Sequence, residues 1–221
     1  MSKLYKGTTR LIAEEVAFDF GKSEDIPFIR RIEASAIEYR ATIIRQDYAK
    51  LPVIPSSLED RFCLPLKSVP STECCVDNIE DCNVYRTIDQ VPIPVRFKDS
   101  TDFTFVGDLR GKTAYSYIVP EELDFILNGT RFAKQLAYYT YYNRYIYTFN
   151  TPGKKISVRG VFDNPSELLN LKNCEGKPCI TDIKINLDMA KLIKEWIKAD
   201  LSGKQVTPTT DLKLNDAANK D

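Results

Sequence analysis

The chain has 221 residues, of which 43% are hydrophobic and 28% charged, and this is the composition of an ordinary globular protein. Its 31 basic and 31 acidic residues give a formal net charge of zero, which argues against a dedicated nucleic-acid binder without excluding a local basic face. There is no histidine, and its absence removes the commonest general base and every Ser-His or Cys-His catalytic pair.

Targeting segments are also not predicted. No apolar run approaches the roughly 20 residues of a membrane-spanning helix. Glu14 and Glu15 interrupt the region where a signal peptide would need a continuous apolar stretch. We therefore expect a protein that is assembled in a reducing cytoplasm and does not contact a membrane.

The six cysteines raise the question of a metal site. Thiolates of Cys63, Cys74/Cys75 and Cys82 are candidate ligands, but their spacing fits poorly the two close pairs of a typical zinc site. A disulfide framework is less expected in a reducing compartment. The sequence therefore predicts reduced, mostly buried thiols, with no metal and no cofactor; the remaining cysteines are Cys174 and Cys179.

Two helices are predicted within residues 1–52. The first has Thr8 or Thr9 as a possible N-cap and Gly21 just past its end. Ser23 can cap a second helix of about 24 residues, because apolar side chains recur there at three- and four-residue steps. Pro52 is expected to end it.

The second helix carries a basic side, formed by Arg30, Arg31, Arg40 and Arg45. Such a face is most often solvated. It would also suit an acidic partner surface or passing DNA, so these four arginines are the candidate contacts for either.

Residues 53–185 are predicted to form a β-rich core, because turn signals recur there between short β-prone runs. We expect an antiparallel β-sandwich or barrel. Residues 186–203 read as a C-terminal amphipathic helix packed on that core, with Asn186 as N-cap and Gly203 as the stop. Residues 204–221 are expected to be flexible or ordered by a partner. The predicted fold class is therefore α+β.

Half of the 12 tyrosines lie in the stretch AYYTYYNRYIYTF, residues 137–149. Asn143 and Arg144 can form a two-residue hairpin turn between its two alternating halves. That register pairs Tyr142 with Tyr145, Thr140 with Tyr147 and Tyr138 with Phe149, so all six lie on one face. Tyr139, Tyr141, Ile146 and Thr148 share the other face.

Two interpretations of this hairpin remain open. Its rings could stack on bases of a nucleic acid, helped by nearby basic residues such as Lys155 and Arg159. Tyrosines at period two more often pack in a sheet or at a subunit interface. We favour the second interpretation, and the predicted interface residues are Tyr138, Tyr142, Tyr145, Tyr147 and Phe149.

The order of these segments resembles the tail ring, or connector, proteins of crAss-like, podovirus-type bacteriophages. The resemblance rests on EYRATIIRQDYAK before a proline break, CCVDNIEDCNVYRTIDQVPIPVRF, DFTFVGDLRGKTAYSYIVPEEL and YIYTFNTPGKKISVRGVFDNPSEL. The last of these is similar to the V-R-G-(V/I)-F-(E/D)-x-P strand and turn of such virion proteins. An amphipathic helix and a polar tail complete the pattern.

The resemblance implies a virion structural protein at the head-to-tail interface. It implies a homo-oligomeric, twelvefold ring that contacts the portal protein and other tail rings around a DNA channel. It also implies non-specific contact with packaged DNA and no enzymatic activity. The family offers no catalytic motif to carry over to this chain.

Overall fold

The chain divides into a helical unit, residues 1–54 and 184–221, and a β unit, residues 55–183. The computed structural model describes residues 8–48, 57–70, 73, 84–95, 103–119, 122, 136–151 and 153–203. The predicted tail at 204–221 and the cysteines Cys74, Cys75 and Cys82 lie outside these residues.

The first helix, α1 (Thr8–Asp19), ends as its sequence predicts. Gly21 adopts a left-handed conformation with φ of 65°. Its N–H donates to the Phe18 carbonyl at 2.9 Å, and the Lys22 N–H donates to the Ala17 carbonyl at 2.8 Å. These two bonds form a Schellman motif, which satisfies carbonyls that the helix end would otherwise leave unpaired.

The second helix, α2 (Ile26–Ile43), is shorter than predicted and begins later. Asp25, not Ser23, is its N-cap, because the Asp25 carboxylate accepts a hydrogen bond from the Phe28 N–H at 3.0 Å. An N-cap side chain must reach the amide two or three residues ahead, and a helix starting at Ile26 puts Asp25 there. The chain then continues as a π-helical turn, Ile44–Tyr48.

Within the described residues two further helices follow, α3 (Ser166–Asn170) in the β unit and α4 (Leu187–Leu201) in the helical unit. The predicted cap of α4 is confirmed, because the Asn186 side chain accepts from the Met189 N–H at 2.8 Å.

The C-terminal helix α4, expected on the β core, contacts α1 and α2. The Trp196 ring meets the Tyr39 ring edge-on, with centroids 5.6 Å apart. Lys194 pairs with Glu15, and Lys198 pairs with Asp19. Its apolar face therefore closes the core of the helical unit; the buried residues of α4 are Met189, Ala190, Ile193, Trp196 and Ile197.

The β unit contains a seven-stranded sheet in the order β3-β7-β1-β2-β6-β5-β4. All pairs are antiparallel except β4 and β5, which are parallel, so the sheet is mixed rather than wholly antiparallel. The α+β class and the barrel are confirmed. The strands are β1 (Asp60–Val69), β2 (Val84–Thr87), β3 (Phe105–Gly107), β4 (Ser116–Tyr117), β5 (Tyr138–Tyr142), β6 (Tyr145–Phe149) and β7 (Lys155–Gly160).

One short segment brings the two edges of this sheet together. After β3 the chain turns back, so that Gly107 bridges Ala114 and the Tyr115 N–H donates to the Val106 carbonyl at 2.8 Å. It then pairs with β5 as strand β4. Since β3 and β4 are the two ends of the strand order, this connection makes the barrel nearly closed and leaves little free edge.

The core of the β unit comes from period-two alternation. On β1, Phe62, Leu64 and Leu66 are buried, and Arg61 and Lys67 are exposed. Ile156 and Val158 of the adjacent strand β7 join the same cluster. A strand that presents every second side chain to one face therefore gives the barrel an apolar interior and a polar outside.

The expectation of reduced thiols is wrong for one pair of cysteines. A disulfide joins Cys63 of β1 to Cys174, which follows α3, with their Cα atoms 5.4 Å apart. The two residues are 111 positions apart in sequence, so no local spacing pattern signals the pairing. Cys179 is free and half-buried.

Replacing Gly107 with alanine should destabilise the β unit by about 2 kcal/mol. A methyl group there would fall inside the contact distance of the Thr113 carbonyl oxygen and 2.6 Å from Cζ of Phe105. Chemical denaturation measures the effect, with Gly153→Ala as control because its methyl would meet nothing closer than 3.7 Å. Equal stability of the two variants would contradict this account of barrel closure.

Reduction should destabilise the protein, because the disulfide closes a loop of more than a hundred residues. The loop-entropy model gives a loss of about 5 kcal/mol in the free energy of unfolding. We expect dithiothreitol to lower the melting temperature of the wild type and to leave that of Cys63→Ser/Cys174→Ser unchanged. Free thiols at both positions in peptide mass spectra of non-reduced protein would contradict the pairing.

Candidate functional site

The turn of the tyrosine hairpin lies where the sequence predicts it. Asn143 and Arg144 have φ of 50° and 67°, the left-handed pair that a two-residue type I′ turn requires. The register is confirmed, with Tyr142 opposite Tyr145, Thr140 opposite Tyr147 and Tyr138 opposite Phe149. The two faces of the hairpin are therefore those deduced from alternation.

Each face of the hairpin enters a different apolar cluster. On one face Tyr138, Tyr147 and Phe149 are buried together with Val69, Val84 and Ile118. On the other face Tyr139 and Ile146 join the main core of the β unit. The protein itself therefore covers most of the aromatic area, and of the five predicted interface residues only Tyr142 and Tyr145 remain half-buried.

Tyr145 already has a cationic neighbour on its ring face. The Arg86 guanidinium lies 4.2 Å from the ring centroid, a cation–π contact. Arg86 also pairs with Glu73 at 2.7 Å. A base that stacked on Tyr145 would have to displace this arginine, which weakens the interpretation of the hairpin as a stacking platform.

The turn is anchored to the rest of the β unit by polar contacts. The Val91 N–H donates to the Arg144 carbonyl at 2.6 Å, and the Tyr141 hydroxyl donates to the Val91 carbonyl at 3.0 Å. The Arg144 side chain pairs with Glu167 at the start of α3. These bonds fix the turn against two segments that are distant from it in sequence.

A cavity of about 450 Å³ opens beside this anchored turn. Its charged residues are of both signs, with Asp89 and Glu167 among Arg144 and Lys172. The sequence gives no sign of this cavity, a mixed-charge groove, because its residues come from three separate segments and carry no shared motif. A surface of mixed charge suits a polar contact with another protein chain; the other lining residues are Gln90, Asn170 and Leu171.

The four arginines of the predicted basic face are not equivalent. Arg30, Arg31 and Arg45 are exposed. Arg40 is fully buried, and its Nε donates to the Lys184 carbonyl at 2.9 Å. Arg40 therefore ties α2 to the segment that leads into α4, and the accessible basic residues are the other three.

Neither a metal centre nor a membrane span is found within the described ranges. No group of three His, Cys, Asp or Glu side chains is placed to hold a metal ion. None of the helices there is long and apolar enough to cross a bilayer. Cys63, one of the thiols considered as a zinc ligand, is held in the disulfide.

The free thiol of Cys179 is poorly suited to nucleophilic chemistry. Burial, and secondarily the negative charge of Asp89, raises the pKa of Cys179 to about 12. A catalytic cysteine needs a lowered pKa, because the thiolate is the nucleophile. The environment of Cys179 is that of a structural core residue.

The described residues thus form a helical unit and a β unit with a nearly closed barrel, which carries a cavity lined by charges of both signs. A comparison of the chain with models of protein families gives a match. The family described as phage tail ring protein 2 matches residues 12–219, which is nearly the whole chain. The chain belongs to this family of crAss-like phage tail ring proteins, and the resemblance seen in the sequence is confirmed. A comparison with curated proteins found no match.

Alkylation should test the assignment of Cys179 to the core. Thiolate is scarce near neutral pH when the pKa is about 12, so native Cys179 should react with iodoacetamide at least about a hundredfold more slowly than in denaturant. Peptide mass spectrometry follows this residue separately from the other cysteines. Equal rates in native and denatured protein would show that the thiol is exposed and ionisable.

Proposed function

We propose that the chain forms a multi-subunit ring, of twelvefold symmetry, in the head-to-tail connector of a phage and around its DNA channel. The observation that carries the proposal is the family match over residues 12–219. The portal protein and other tail ring proteins would be its neighbours. The ring would assemble in the host cytoplasm and remain in the virion.

Ring closure requires two different surfaces on each subunit that fit each other head to tail. The residues at the tip of the β5–β6 hairpin are suited to form one of these two surfaces. Tyr142 and Tyr145 are half-buried rings with polar ends, and the mixed-charge groove begins at Arg144 beside them. An aromatic patch with a charged rim is the usual composition of a protein interface. We therefore assign the hairpin tip and the groove to the contact between neighbouring copies.

Contact with DNA in the channel would be electrostatic and independent of base sequence. Arg30, Arg31 and Arg45 are exposed, and we assign them to such contact or to an acidic patch on a neighbouring protein. A zero net charge agrees with a lining past which DNA must slide, because strong net attraction would hold it. The role is structural and requires no catalytic group.

The alternative, a nucleic-acid-binding module that stacks bases on the hairpin, has less support. It needs exposed rings, whereas Tyr138, Tyr147 and Phe149 have relative exposures of 6%, 2% and 0%. The two accessible rings are too few for a platform that tracks several bases.

Negative-stain imaging and light scattering test the ring, with the chain alone and mixed with the portal protein. We expect closed rings for the wild type. Tyr142→Ala/Tyr145→Ala should require at least about tenfold more protein for assembly, because buried interface tyrosines commonly contribute more than 1 kcal/mol each. The change leaves the buried rings in place, so the monomer should stay folded.

The matched control is Tyr117→Ala, which removes an exposed ring on β4 of the same unit. We expect it to assemble like the wild type. A wild-type chain that stays monomeric in the presence of the portal protein would contradict the ring. Equal assembly of the hairpin variant and the control would contradict only the assigned interface.

A further inference from the structure

Two arginines meet on the outer face of the barrel at a site that the hairpin and the α2 face do not include. Arg61 of β1 and Arg159 of β7 are directly opposite each other in the antiparallel register. Their neighbours Phe62 and Val158 point into the core, so both arginines lie on the outside. Like charges directly opposite in a sheet destabilise it, and this pair therefore needs an explanation.

Both guanidinium groups converge on one glycine. A methyl group on Gly111 would lie 3.5 Å from Nη2 of Arg61 and 3.7 Å from Nη2 of Arg159. These two nitrogens are thus about 7 Å apart or closer. Gly111 has φ of 71°, so the turn requires glycine there, and the missing side chain leaves room beside both groups.

The structure holds Arg159 in position without neutralising it. Its guanidinium lies 5.0 Å from the centroid of the Phe105 ring. Its Nε is buried and has no hydrogen-bond partner among the residues that the structure describes. Within the same residues, no carboxylate forms an ion pair with Arg61 or Arg159.

The loop that carries Gly111 adds two more cations, because Arg110 and Lys112 flank the glycine and are exposed. The acid in this loop, Asp108, is occupied by backbone amides. It accepts a hydrogen bond from the Thr113 N–H at 2.9 Å, and that bond is the main cause of its lowered pKa. Within the loop 108–113, all of which the structure describes, Asp108 is the one carboxylate beside Arg110 and Lys112, and its oxygens are used by the turn itself.

We propose that Arg61, Arg159, Arg110 and Lys112 form an oxyanion site that binds phosphate groups of the DNA backbone. One carboxylate from a protein would leave most of this charge unmatched, whereas successive phosphates supply repeated negative charge. Guanidinium groups bind phosphate through forked N–H donors, and hydrogen bonds of about 2.8 Å on either side of one phosphate span the gap between the two arginines. The choice of DNA as the polyanion rests on the proposed channel function.

The test measures binding of a short labelled DNA duplex to the full chain by fluorescence anisotropy, over a range of salt concentrations. Arg61→Gln/Arg159→Gln should bind more weakly than the wild type, and the slope of log affinity against log salt should fall by about two. Lys67→Gln/Lys191→Gln removes the same charge from exposed positions outside the cluster and serves as control. Arg110→Gln/Lys112→Gln changes only the exposed loop and keeps the test valid if the first variant fails to fold.

Three results would overturn the site. The first is an affinity and salt slope in both cluster variants equal to those of the control. The second is loss of ring assembly with unchanged DNA binding, which would assign the cluster to an acidic surface of a neighbouring subunit. The third is binding of inorganic phosphate, but not DNA, at the cluster. Light scattering records assembly separately, so failure of the ring and failure of this site are distinguished.

Discussion

In the β5–β6 hairpin, Asn143 and Arg144 both adopt left-handed conformations, and this two-residue turn determines which side chains face each other along both strands. That register decides which of two apolar clusters each ring of the hairpin joins. A slip of one residue would exchange the face that packs on Val69 and Val84 with the face that enters the main core. Both faces are apolar and both are covered, so a slip would put rings into the wrong cluster rather than expose them to water.

Barrel closure places a second constraint on the molecule. The segment from β3 to β4 leaves the strand at Gly107 and turns at Gly111, and each position depends on the lack of a side chain for a different reason. At Gly107 the backbone of Thr113 approaches too closely for a methyl group. At Gly111 the positive φ disfavours other residues. The same short segment joins the sheet edges and presents the basic loop beside Arg61 and Arg159.

The charge of the chain is balanced in total but unevenly distributed. Ion pairs occupy many acids of the helical unit, as Glu15 and Asp19 show. The arginines at the Gly111 turn have no such partner in the described part of the β unit. A protein of zero net charge can therefore present a local cationic surface, as the proposed contact with DNA requires.

The sequence by itself determined the features that depend on local spacing. The C-terminal end of α1, the N-cap of α4, the hairpin turn and its two faces follow from capping residues, glycine and alternation, and all are confirmed. The order of the segments also indicated the family. The start of the second helix could not be fixed in the same way. Ser23 and Asp25 both precede it and both are residue types that cap helices, and the structure shows that Asp25 is the N-cap.

Only the tertiary structure decided which distant residues meet. It paired Cys63 with Cys174, buried Arg40 against the Lys184 carbonyl and packed α4 on α1 and α2. It also brought Arg61 and Arg159 together at a glycine turn. None of these contacts has a sequence signature, because each depends on how strands and helices align in space rather than on the spacing of residues along the chain.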